Sequence, residues 1–340
     1  MPNLTVTGDA LRQYEEAVVD GDRGRVVALV EDLLAAGVSP LDVLIGVVAA
    51  AQRSIGERWQ RGEWSVAQEH AATAMAVVAT EAVTRGTAGT PVTRGHVIVT
   101  CAEREWHWLP AAIIDCALRA DGWQTTPLGP ATSPLRLSQY LQDVGPEAVA
   151  VSCSVLGALP TTRRFIEAST SAGVPVVVGG AAFGSDDVRA RALGATAWAR
   201  DARGAVAAVA ALPVVVSPVP PPPAAPAQEQ AALELDHGHL VDRIRRQWTL
   251  TAHLDTDTAG DTPYSVARDA LPQTIHAVGA ALITGDPRPV AETAWGLTDL
   301  LASRGVDARP AMDDLTRVLV ATLLDYPLSV GLIRSHFRWY

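Results

Sequence analysis

The sequence predicts an α/β protein with all-α additions: a four-helix cap bundle, then a doubly wound sheet of about five parallel strands, then an all-helical C-terminal domain. Three observations carry this. Apolar residues recur at helical spacing through residues 9–84, whereas residues 94–212 alternate strand-length apolar runs with helix-length segments. A proline-rich run, Val216-Ser-Pro-Val-Pro-Pro-Pro-Pro-Ala-Ala-Pro226, separates both from a third stretch that returns to helical spacing.

In the first region, 1–90, one stripe consists of Val26, Val27, Leu29, Val30, Leu33 and Leu34, and another of Leu41, Val43, Leu44, Val47 and Val48. Gly37 and Ser39-Pro40 mark the stop and start between them. A further helix carries Ile55 and Trp59 and ends near Arg61-Gly62. Ser65-Val-Ala-Gln68 then reads as a capping box for an alanine-rich helix reaching Val83. Short connections between such helices make a bundle.

In the second region, 91–213, the strands are Val97–Cys101, Gln124–Leu128, Ala148–Val151, Val174–Val178 and Thr196–Trp198. The intervening helices cover 109–120, 135–144 and 162–172, with Ser133-Pro134 as a cap and first-turn proline. Near-continuous apolar strands separated by single helices require a parallel sheet covered on both faces. Residues 214–232 form the linker, expected as semi-rigid polyproline II. In the last region, 233–340, Leu240, Val241, Ile244 and Trp248 make one stripe, with Asp242, Arg243, Arg245 and Arg246 on the other faces. Asp286-Pro287 opens a helix bearing Val290, Ala294, Leu297, Leu300 and Leu301, and a final apolar helix around Val318–Leu324 stops at Pro327.

Composition narrows the function. Of 340 residues 48% are hydrophobic and 19% charged, with no apolar run long enough to cross a bilayer, so a soluble protein outside the membrane is expected. The N-terminus lacks a secretory pattern, which points to the cytoplasm. A net charge of −10, with no basic arm or helix-turn-helix before residue 10, argues against nucleic-acid binding. Cys101, Cys116 and Cys153 stand at unrelated spacings and read as small buried hydrophobes.

The candidate site lies at the carboxyl ends of the strands, the edge where open α/β sheets bind ligands. His107 follows the first strand, two residues after Glu105. Ser152-Cys-Ser154 follows the third strand and Gly179-Gly180 the fourth. Serine hydroxyls there can bond a ligand's polar atoms, and glycines let the backbone approach it.

Together, Glu105-Trp-His107-Trp-Leu-Pro110, Ser152-Cys-Ser154 and Gly179-Gly180 resemble the signature of cobalamin-binding domains, with Pro110 in the place of the usual glycine. The helices in front resemble the cap found in many members. The resemblance implies base-off binding, with His107 as lower axial ligand to cobalt and the nucleotide tail beside Ser152, Ser154 and the glycines. Imidazole suits cobalt, and a carboxylate on its far nitrogen sets tautomer and basicity.

Trp59 and Glu69-His70, in the spacing Trp-x9-Glu-His, are similar to the motif of the light-sensing adenosylcobalamin repressors of carotenoid synthesis. That likeness implies an indole covering the adenosyl group, which the Glu-His pair contacts. The histidine that often follows the tryptophan is Gln60 here, so a second axial histidine from that position is ruled out, and the repressors' DNA-binding domain is not expected. The order of cobalamin domain, linker and helical domain resembles the photocobilins, which implies a bilin such as biliverdin in the C-terminal domain. No cysteine lies beyond Cys153, so a bilin would bind without a thioether. Arg243, Arg245 and Arg246 are candidate partners for its propionates, and His253, Tyr264 and His276 for its pyrrole and lactam groups. The expectation is a cytoplasmic photoreceptor rather than an enzyme, homo-oligomeric as a dimer, that binds tetrapyrrole cofactors and acts on a downstream signalling partner. Two alternatives stay open: a corrinoid carrier of a methyltransferase system, and a globin-like C-terminal domain holding haem.

Overall fold

The computed structural model describes residues 8–103, 105–130, 132–252 and 262–339. It divides into two compact units, one of residues 1–58 with 66–219, the other of Trp59–Ser65 with 220–340.

The first unit begins with helices α1 (Gly8–Val19), α2 (Arg23–Ala35), α3 (Pro40–Val43), α4 (Ala49–Gln60) and α5 (Val66–Gly86). The stripe Leu41–Val48 and the helix bearing Ile55 and Trp59 are expected as separate elements, but they form one rod. A π-helical turn, Leu44–Val48, joins α3 to α4. Its wider turn keeps Leu44, Val47 and Val48 buried together with Ala51 and Ile55 further along. With α1 added, the bundle has four rods among the described residues. Gly62, at φ 73°, turns the chain between α4 and α5.

Strands β1 (His96–Cys101), β2 (Gln124–Pro127), β3 (Ala148–Ser152), β4 (Val176–Gly179) and β5 (Ala197–Ala199) form a parallel sheet in the order β2-β1-β3-β4-β5. Helices α6 (Leu109–Ala120), α7 (Pro134–Val144), α8 (Leu159–Ser171), α9 (Val188–Ala192) and α10 (Ala202–Ala210) connect and cover it. Val97, Val99, Ala148, Ala150 and Val177 pack with Ala111 and Leu118 of α6 and Ala205 and Val209 of α10. The alternate residues Ile98, Val149, Val151, Val176 and Val178 are buried as well, which is why these strands read as unbroken apolar runs. The chain order reverses between β1 and β3, and loops leaving adjacent strands diverge there to open a crevice.

In the second unit α11 (Ala224–Gln247) starts inside the stretch expected as linker, because the alanines and glutamines after Pro223 favour a helix once the proline run ends. It packs with α12 (Pro263–Thr284), α13 (Arg288–Ala302), α14 (Ala308–Thr322) and α15 (Pro327–His336). Pro327 does not stop the helix before it, which ends at Thr322, but sits in the first turn of α15, where a missing N–H costs nothing. Trp248 is fully buried in this core and donates its indole N–H to the Ala311 carbonyl at 2.8 Å.

Candidate functional site

The site begins with a carboxylate taken out of water. Glu105, in the loop after β1, is 0% exposed. Its Oε1 accepts from the His107 backbone N–H at 3.0 Å and meets His107 Nδ1 at 2.5 Å. Its Oε2 accepts from the N–H groups of Ser154 and Val155 at 2.8 and 2.9 Å. One side chain therefore ties the β1 loop to the β3 loop across the crevice. Burial alone would raise the Glu105 carboxyl, but the bonds from the His107 ring, the His107 N–H and the Ser154 N–H outweigh it and hold the group below the ordinary carboxylate range. In return the Glu105 hydrogen bond raises His107 above the usual histidine value against the opposing effect of burial, with Glu105 and Glu69 adding negative charge nearby.

This fixes the chemistry of the ring. A carboxylate at Nδ1 keeps a proton there, so in the neutral imidazole Nε2 carries the lone pair. The His107 side chain is 62% exposed, so that nitrogen is open to a ligand. Pro110, which stands in the place of the usual glycine, lies in the first turn of α6, where proline is tolerated.

Below the loops a cavity of about 360 Å³ is lined by Ser152, Ser154, Gly179 and Gly180, all expected there, and also by Gln52 and Arg53 from α4. The Ser152 hydroxyl is buried without a hydrogen-bond partner, an unusual cost unless something else supplies one. The glycines answer first to the chain itself: a Cβ on Gly180, at φ 104°, would lie 2.3 Å from the Cys153 carbonyl oxygen, and one on Gly179 would lie 2.6 Å from that of Ala199.

Glu69 and His70 lie in the first turns of α5. Glu69 accepts from Thr73 Oγ1 at 2.9 Å, and Thr73 Oγ1 accepts from Gln52 Nε2 at 2.9 Å. Gln52 was missed in the sequence. It shares a helix face with Trp59, seven residues on, which is the signal that could have found it. Its Oε1 is buried with no partner. His70 is 73% exposed and its Nε2 lies 3.6 Å from Glu69 Oε2. Trp59 belongs to the second unit, where its ring packs against the helical core and lies 5.8 Å from the Arg304 guanidinium carbon.

The six residues proposed for a bilin have different neighbours. Arg243 is exposed, Arg245 and Arg246 both pair with Asp242, and Tyr264 lines an open cavity of about 690 Å³ with Thr249, Asp314 and Arg317. His276 stacks on His237 of α11 with ring centroids 4.4 Å apart. His253 lies outside the described residues. His237 was not foreseen. Its Nε2 and His276 Nδ1 are both buried without partners, and burial lowers both histidines, His276 to about 4.

The donor set at the crevice fits a corrinoid: an imidazole nitrogen held open by a buried carboxylate, above a cavity with an unpartnered hydroxyl. The comparisons agree. Residues 10–83 and residues 95–210 each match a family described as B12 binding domain. Among solved structures, the Methanosarcina barkeri monomethylamine corrinoid protein superposes with a TM-score of 0.52 at 20% identity, over 60% of this chain and 98% of its own. A cobalamin-binding protein from Desulfitobacterium hafniense matches with a TM-score of 0.32 at 20% identity, over 58% and 96% of the two chains. A methanol:cobalamin methyltransferase complex of Methanosarcina barkeri gives 0.33 at 18%, over 63% and 84%. No curated protein matches the chain. The first likeness is one of fold. Two B12 binding domain models thus match in tandem, one over the helical bundle at residues 10–83 and the other over the parallel-sheet domain at residues 95–210.

Proposed function

We propose that the chain is a light sensor that holds adenosylcobalamin on His107. The Glu105–His107 pair carries the ligand assignment: the carboxylate keeps the proton on Nδ1, leaves Nε2 as donor, and through Ser154 and Val155 prevents the ring from swinging away. Ser152 and Ser154 offer hydroxyls to the polar tail in the cavity beneath. When bound, adenosylcobalamin supplies a cobalt–carbon bond that light cleaves. Trp59 with Glu69-His70 supports the light-sensing reading, because a bulky indole suits shielding of an upper face and does not suit handing a group on to another enzyme. The Gln52–Thr73–Glu69 chain holds the carboxylate of that motif in place.

In this reading the C-terminal helices hold a bilin, biliverdin or a relative, without a thioether. In the tautomers that leave them unprotonated, the buried nitrogens of His237 and His276 accept from pyrrole N–H groups, and the half-buried Arg245 suits a propionate. The sensor acts as a homodimer in the cytoplasm on a signalling partner, without binding nucleic acid. No helix among the described residues is long and apolar enough to cross a membrane.

A second reading, a corrinoid carrier of a methyltransferase system, is favoured by the fold likeness to the monomethylamine corrinoid protein. One experiment separates the two. Purified protein loaded with adenosylcobalamin should change its absorption spectrum under green light, and co-expression with a biliverdin source should add a red band. A light-inert cobalamin spectrum overturns the sensor and leaves the carrier.

A further inference from the structure

Along the rod that runs through the π turn into α4, Ile45, Ala49 and Gln52 recur at helical spacing and line one wall of the cavity. Arg53 lines it too, but a guanidinium only donates. Gln52 is therefore the side-chain acceptor on this wall. All residues lining the cavity, and α5 with Glu69 and Thr73, belong to the first unit.

Two neighbours fix which way the Gln52 amide faces. Glu69, as a carboxylate, only accepts, so the Thr73 hydroxyl gives its one proton to Glu69 Oε1 at 2.9 Å. Thr73 Oγ1 then has only lone pairs left, and Gln52 turns its NH₂ toward it, with Nε2 at 2.9 Å. The amide oxygen is directed away from Thr73 and is buried with no partner. A buried acceptor without a donor is destabilising, and a ligand that brings an N–H to it removes that cost. The other end of the chain, Glu69, lies close enough to His107 to raise its proton affinity.

A corrinoid has the matching chemistry at its rim: amide side chains whose NH₂ groups donate, on an apolar ring edge that suits Ile45 and Ala49. We propose that Gln52 is a binding residue for the corrinoid, its Oε1 accepting from a rim amide N–H in the orientation that Thr73 and Glu69 impose. This rests on cobalamin binding at the crevice and is independent of light sensing.

Full-length wild type, Q52M, T73V and T73S are titrated with adenosylcobalamin and with hydroxocobalamin, which lacks the adenosyl group. Q52M keeps the length of the side chain without its polar atoms. It should bind both cobalamins about five-fold more weakly, the factor one neutral hydrogen bond contributes. The spectrum of bound hydroxocobalamin should stay that of the wild type, because His107 is untouched. T73V frees the amide to turn and should lose about two-fold, and T73S should restore wild-type binding. Should Q52M fail to fold, T73V and T73S carry the comparison.

Unchanged affinity in Q52M, or in T73V where Q52M does not fold, overturns the proposal and leaves His107 standing. A loss confined to adenosylcobalamin overturns the rim amide as donor, since the contact is then to the upper ligand. A T73V loss as large as that of Q52M shows Gln52 acting only through Glu69, and overturns the contact. A wild type that binds neither cobalamin overturns the reading of the crevice itself, and the role of Gln52 with it.

Discussion

Replacing Glu105 by Gln isolates what the buried carboxylate does for His107. The carboxylate accepts four bonds, two from the loop after β3 and two from His107. An amide can keep its oxygen on the N–H groups of Ser154 and Val155, but then turns its NH₂ toward the N–H and Nδ1 of His107, donor against donor. Bonds to a charged group contribute about 1.5–3 kcal/mol each, so losing two costs roughly 3–6 kcal/mol, reduced by the relief of a buried charge. Relaxation comes from the ring moving its proton to Nε2, and that removes the metal-binding lone pair. Outer-shell partners of this kind are worth about 10–100-fold in metal affinity. E105Q should therefore melt cooperatively at a lower temperature, bind hydroxocobalamin about 10–100-fold more weakly, and give a spectrum without protein imidazole ligation, matching H107A. E105A should be less stable still, since the Ser154 and Val155 N–H groups are left buried without acceptors. Wild-type affinity and spectrum in E105Q would refute the argument that the carboxylate sets the tautomer.

Other residues give sharper single readouts. S152A removes a buried hydroxyl that has no partner, so the cofactor-free domain should gain about 1 kcal/mol in urea unfolding while cobalamin binding weakens. G180A puts a methyl against the Cys153 carbonyl at a positive φ, and should lower stability by at least about 2 kcal/mol whether or not cobalamin is present. His276 titrates near 4 in the folded chain, below the ordinary 6.5, so the unfolded chain binds the extra proton between those values. Its contribution is intact above pH 6.5 and falls by up to about 1.4 kcal/mol per pH unit as pH drops toward 4, a slope that H276Q should flatten in pH-dependent unfolding.

The sheet and its edge were readable because their causes are local. Apolar strand runs and a cap such as Ser133, which accepts from the Arg136 N–H, need no distant partner to be recognised. Glu105 and His107 are two residues apart, so their pairing was visible in the chain. The π turn was not, because a wide turn preserves an apolar stripe while shifting its phase, and Pro327 looked like a stop although proline also starts helices. The bilin candidates rest on residue type alone, and Arg245 and Arg246 pair with Asp242 three and four residues back on the same helix.

By itself the sequence determined the order of the domains, the strands, and the presence of an imidazole with a carboxylate at a strand end. Tertiary structure decided the rest. Parallel pairing of β1 with β3 brings the Ser154 and Val155 N–H groups to Glu105 from 49 and 50 residues away. Packing of α4 on α5 joins Gln52 to Glu69 through Thr73. Arg304 completes a helix that ended 244 residues earlier. The physical reason is common to all three: a buried polar group must find a partner, and only the folded chain determines which one lies within reach.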